Sequence, residues 1–138
     1  MSTVPGTYPI TVTGTSGSLV HTAIYMLTVA QAIPDFTLTS ATTSTSVRYG
    51  RATTISYKLS LAQKYGFRGT VALSATGTPP GTTCAWSPQT VNITSTTTVY
   101  AYCSVAIAGT PVGTYYVTFT GAAASGASDS TTAKITVS

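Results

Sequence analysis

Apolar and polar positions alternate with a period of two along most of this chain, the signature of strands with one buried face. Tyr8, Ile10 and Val12 alternate with Thr7, Thr11 and Thr13. Thr15-Ser16-Gly17-Ser18 is a turn cluster. The return strand over Leu19 to Val29 puts Tyr25, Leu27 and Val29 on one face and leaves Ile24 and Met26 on the other. Residues 30–34 read as a linker, Asp35 to Thr39 as the first strand of a longer array, and residues 40–46 as polar and turn-like. Ile55, Tyr57 and Leu59 mark the inner face of a long strand, with Ser56 and Lys58 outward. Gly69 to Leu73 follows, and then the strong turn Thr78-Pro79-Pro80-Gly81. Cys84 and Trp86 share a face of a short strand, and Val91 and Ile93 sit on the next piece. Val99, Ala101, Cys103 and Val105 point one way, with Tyr100 and Tyr102 opposite; Tyr115, Val117 and Phe119 point inward, with Tyr116 outward. No segment of useful length has helical periodicity. The pattern predicts an all-β chain: a β-sandwich of about seven antiparallel strands with an extra N-terminal β-hairpin.

That extra hairpin is a repeat. GTYPITVTG from Gly6 and GTYYVTFTG from Gly113 agree at six of nine positions, and Leu27-Thr28-Val29 recurs as Ile135-Thr136-Val137. The offset is 107 residues at the start and 108 at the end, a domain-sized spacing with one insertion. Residues 1–33 are expected to be the last two strands of a preceding unit plus a linker, and residues 34–138 a complete one. Where the C-terminal copy has outward Thr132 and Lys134, the N-terminal copy has Ile24 and Met26. An isolated two-stranded hairpin is marginal in water, so this one is expected to pair with a second copy of the chain by strand addition or swapping.

Composition changes the picture in three ways. Only 6% of residues are charged while 43% are hydrophobic, which excludes the profile of an intrinsically disordered chain. No run of 18 apolar residues offers a membrane span, and no membrane association is expected. The opening Met-Ser-Thr-Val-Pro has no signal-peptide character; it reads as an internal start or a fragment boundary, and any export signal is expected outside this segment. Two cysteines and a surface rich in Ser and Thr suit an exported protein. The net charge is +4, and Arg48, Arg51, Lys58, Lys64 and Arg68 are interleaved with Tyr49, Tyr57, Tyr65 and Phe67. Such a stripe is a candidate surface for an anionic polymer, weighed against the plain need of a nearly uncharged domain for some solubilising charge. Nucleic acid is not an expected partner.

The run GFRGTVALSATGTPPGTTCAWSPQTVNIT and the later PVGTYYVTFTGAAAS and ITV resemble the Ig-like repeats of large secreted bacterial proteins. Those repeats typically read GF-GTV-L-GLP-G-T-F-SP-V-T and then AGTY-V-V-G-S-G. The resemblance covers nearly all of residues 34–138, whereas residues 4–29 match only the last two strands of such a repeat. It implies that the sandwich is Ig-like, and that the chain is a non-catalytic stalk, spacer or adhesive module, secreted or at the cell surface. The basic residues between 48 and 68, and Ile24 and Met26 in place of the usual Thr, depart from the pattern.

Candidate chemistry is sparse. Cys84 and Cys103 fall on inward faces of strands expected to be neighbours, and a disulfide there closes a loop of about 20 residues. A metal site would need further His or Cys ligands at shorter spacing, so neither metal nor cofactor is expected. His21 is the single histidine, and Asp35 and Asp129 are the only side-chain carboxylates. A small hydrolase built on these groups, or on a desolvated Lys58, is the third-ranked reading, because no nucleophile elbow or paired carboxylates accompany them. The second-ranked reading is a polysaccharide or anionic-polymer binding module, using outward Tyr100, Tyr102 and Tyr116 or the 48–68 stripe. Tyr8 and Tyr115 open their strands where sandwiches often carry a tyrosine corner, and are read as structural.

Overall fold

The computed structural model describes residues 3–138 and divides into two compact units, Met1–Ile33 and Pro34–Ser138. The first is a hairpin of β1 (Gly6–Ser16) and β2 (Leu19–Val29), antiparallel with Gly6 opposite Val29 and Ser16 opposite Leu19. The tight turn between them passes through Gly17, whose positive φ of 58° suits a residue without a Cβ.

The second unit is an Ig-like β-sandwich of nine strands. They are β3 (Asp35–Ser40), β4 (Ser44–Val47), β5 (Thr53–Lys64), β6 (Gly69–Thr76), β7 (Cys84–Ser87), β8 (Thr90–Ile93), β9 (Val99–Ile107), β10 (Gly113–Ala123) and β11 (Ser128–Val137). One sheet runs β4-β11-β10-β6-β8 and the other β3-β5-β9-β7. The alternation read from sequence appears directly as burial: Ile55, Tyr57, Leu59 and Leu61 on β5 face Val117 and Phe119 on β10 and Ala133, Ile135 and Val137 on β11 within one core. The aromatic residues lock the layers together. Phe119 lies 5.0 Å from Tyr57 and 6.2 Å from Trp86, while Phe36 lies 5.3 Å from Phe67. Such tilted and edge-on pairs add to the stabilisation from burial itself.

The strand count exceeds the expected seven, and one element departs from the expected pattern. Ser44–Val47, expected as part of a turn, forms β4 and pairs parallel with β11, Val47 opposite Val137. Its identity as a strand lies in main-chain bonds at the sheet edge, including Lys134 N–H to Thr43 O and Ser138 N–H to Val47 O. Only Val47 is fully buried there, so the side chains give little apolar alternation.

Cys84 on β7 and Cys103 on β9 are joined in a disulfide with Cα atoms 5.4 Å apart. The bond ties neighbouring strands of one sheet, and Trp86, opposite Cys103 in the register, packs beside it. Burial pushes the Tyr57 phenol above the usual tyrosine range, partly offset by the Thr45 side chain; its hydroxyl has no partner in full hydrogen-bonding geometry.

Candidate functional site

The two hairpins are built alike, strand for strand. Tyr115 donates its hydroxyl hydrogen to the Pro111 carbonyl at 2.9 Å, and Tyr8 does the same to the Val4 carbonyl at 2.6 Å. Each is a tyrosine reaching four residues back to pin the entry to its strand, as in a tyrosine corner. The registers match as well: Tyr8 opposes Leu27 as Tyr115 opposes Ile135, and Gly14 opposes His21 as Gly121 opposes Asp129.

Their surroundings differ. In the C-terminal copy Val117, Phe119, Ala133 and Ile135 are each fully buried. The matching Ile10, Val12, Tyr25 and Leu27 are 45%, 54%, 65% and 50% exposed. On the opposite face of the N-terminal hairpin, Ile24 and Met26 are exposed together with Val20. The hairpin therefore presents apolar side chains on both faces.

Glycine shows the difference most sharply. A Cβ on Gly121 would stand 3.0 Å from both Phe36 Cε2 and Val71 Cγ1, so the missing side chain is what seats the Phe36 ring of the opposing sheet. The matching Gly14 has nothing within 4 Å and no left-handed φ to require a glycine.

The cationic and aromatic candidates are distributed differently from their order in the chain. Arg48 and Arg51 lie before β5 and Lys64 and Arg68 at or beyond its far end, so the strand of 12 residues separates the two groups by about 40 Å. The structure does bring together Lys58, Tyr100 and Tyr102 on the outer face of the β3-β5-β9-β7 sheet. Lys58 opposes Tyr102, and its Nζ stands 3.9 Å over the Tyr100 ring. Tyr116, also exposed, lies on the other sheet opposite Lys134. Lys64 Nζ stands 5.0 Å over the neighbouring Tyr65 ring.

Each aspartate is engaged by main-chain N–H groups. Asp35 accepts the Phe36 N–H; Asp129 accepts the Ser130 N–H on one oxygen and the Leu38 N–H on the other, each at 2.8 Å. The Asp129–Leu38 bond joins β11 to β3 across the sandwich edge, a structural role that sequence reading missed. His21 is exposed on β2, in the other unit from both aspartates. Among the described residues no group of three or more His, Cys, Asp or Glu side chains is placed to hold a metal ion.

No protein-family model matches the chain. No curated protein sequence matches it either. Among solved structures it is similar to domains 4 and 5 of the S-layer protein SbsC, at 21% identity and a TM-score of 0.45, covering 97% of this chain and 66% of that one. It is similar to the structure of SbsC domains 1–6 at 23% identity and a TM-score of 0.45, covering 97% and 16%. It is also similar to the D00-D0 domain of intimin at 13% identity and a TM-score of 0.42, covering 94% and 64%. The chain thus spans less than two thirds of the length of each of these structures.

Proposed function

We propose that this chain is a non-catalytic structural and adhesive module of the cell surface or secreted space, an Ig-like repeat that self-associates through its N-terminal hairpin. In this reading residues 1–33 are the closing hairpin of a second repeat. The observation that carries the reading is the contrast between the twins. β1–β2 reproduces the register and tyrosine corner of β10–β11, yet exposes the side chains that β10–β11 buries. Burying a Leu, Ile or Val side chain is worth about 1.5–3 kcal/mol, so a second copy that covers this face gains considerably. Ile24 and Met26 extend the apolar surface to the reverse face. Light scattering on the full chain and on residues 34–138 tests the reading. The full chain is expected to associate with rising concentration and the sandwich alone to stay monomeric; equal masses at all concentrations would remove it.

The contact of Lys58 with Tyr100, beside Tyr102, supports a second reading, a surface for an acidic polysaccharide. Tyr102 offers a ring for stacking on a sugar, and Lys58 a cation. Affinity electrophoresis in a gel containing a uronate polymer tests it. Retardation lost in Tyr102→Ala and Lys58→Gln supports this reading, and unchanged mobility across acidic and neutral polymers refutes it.

A further inference from the structure

We propose that the cleft beside the disulfide binds a neutral sugar, with the Trp86 indole against the apolar face of the ring and Gln89, Thr83 and Ser74 reaching its hydroxyl groups. The site is separate from the hairpin and from the outer face that carries Lys58, and it goes beyond both readings above.

The cleft opens at the sandwich edge where the chain crosses from β7 in one sheet to β8 in the other. Its volume is about 400 Å³, at the lower end for small-molecule sites and enough for about one or two sugar rings. One wall is the end of β6, with Ser74 and Ala75, and the other is β7, with Cys84 and Trp86. Thr83 and Gln89 are exposed between them. β8 begins only at Thr90, and the Leu73 N–H donates to the Gln89 carbonyl on this side of β6. Strand alternation turns the N–H and C=O of Ala75, two residues on, to the same edge.

The walls are fixed before any ligand arrives. The disulfide ties the strand that bears Trp86 to β9. The rim loop is closed on itself: the Thr82 N–H and hydroxyl both donate to the Pro79 carbonyl, at 3.1 and 2.7 Å, and the Thr78 hydroxyl donates to the Thr82 carbonyl at 3.0 Å. A preorganised site loses less affinity to ordering.

The lining selects the ligand class. It holds no charged side chain, so an ion would be desolvated there without a partner. A wholly apolar ligand would strip water from the hydroxyl and amide groups without pairing them. A sugar meets both demands: its C–H face suits the indole and Ala75, and its hydroxyl groups pair with Ser74, Thr83 and Gln89. Trp86 is half-buried, packed near-perpendicular on the buried Phe119 with ring centres 6.2 Å apart, and still borders the cleft.

The full-length chain with its disulfide intact tests this, because its single tryptophan reports on the cleft. Trp86 fluorescence is followed while methyl glycosides of glucose, galactose, mannose and N-acetylglucosamine are titrated, and then neutral polysaccharides of the same sugars. At least one is expected to give a saturable change with a Kd in the millimolar range. Saturation by a glycoside assigns the site to a free sugar or chain end, and saturation by a polymer alone to a segment within a glycan; either supports it. Gln89→Ala and Thr83→Ala alter exposed side chains and should leave the unfolding midpoint unchanged, yet each should raise Kd about three- to tenfold. Tyr102→Ala, on the outer face, should leave Kd within about twofold. No saturable change with any of these ligands would overturn the proposal, as would binding that resists both cleft substitutions or is lost in Tyr102→Ala.

Discussion

Gly121→Ala and Gly14→Ala make the same chemical change at matching positions of the two hairpins, and they should have different consequences. At Gly121 the added methyl meets Phe36 Cε2 and Val71 Cγ1 at 3.0 Å and Phe36 Cζ at 3.3 Å, where about 3.4 Å or more is comfortable. Neither neighbour can retreat easily. Phe36 and Val71 are both fully buried, and Phe36 is held against Phe67 at 5.3 Å. Overpacking of this kind costs about 1–3 kcal/mol. Replacing glycine with alanine also stabilises by about 0.4–1 kcal/mol, by restricting the unfolded chain where the native φ suits alanine. The net expectation is a loss of about 1–2 kcal/mol, or about 5–10 °C in Tm for a domain of this size. Gly14→Ala, with nothing within 4 Å, should leave the sandwich unchanged. Urea unfolding followed by tryptophan fluorescence is suited to the comparison, because Trp86 is the single tryptophan and belongs to the sandwich. A Gly121→Ala midpoint equal to or above that of the wild type would refute the close-contact argument.

Three further outcomes follow from the packing and charge. Cys84→Ser/Cys103→Ser, which opens a crosslink of sequence separation 19, should lower stability by about 3 kcal/mol as read by denaturant unfolding; an unchanged midpoint would mean the bond adds nothing to the native state. Tyr57 is neutral and buried with its pKa raised above the ordinary 10.0, so its contribution is fully present below the unfolded pKa and is lost as pH rises through the folded one. Stability should therefore fall above about pH 10 and fall less in Tyr57→Phe, a difference that unfolding curves across alkaline pH will resolve. Tyr100→Ala should remove at most about 1 kcal/mol, the scale of an exposed cation–π contact between Lys58 and its ring; a larger loss would assign Tyr100 a packing role.

Side-chain alternation carried most of the architecture. β5, β9 and β10 each bury every second residue, so apolar residues spaced by two marked both the strands and their inner faces. The paired GTY segments marked the hairpins and both tyrosine corners, because the backbone geometry depends on that tyrosine and the residues just before it. β4 escaped notice since Ser-Thr-Ser-Val has one fully buried side chain and is held at the edge by main-chain bonds, which every sequence can make. The Asp129 bond to the Leu38 amide spans 91 residues, and no local pattern announces a carboxylate that reaches across a sandwich edge. The cations looked like one stripe because they are close in sequence; an extended strand carries neighbours far apart, and only Lys58 ends beside two tyrosines. The close approach at Gly121 was not legible either, since a glycine in a Thr-rich strand has no pattern of its own.

Amide hydrogen exchange on the full-length chain, measured across a wide range of protein concentration, tests most directly whether the hairpin is completed by a second copy. The account predicts that amides of β1 and β2 exchange quickly when dilute and become protected as concentration rises, while those of the sandwich stay protected throughout. Protection of β1 and β2 that does not change with concentration would contradict it.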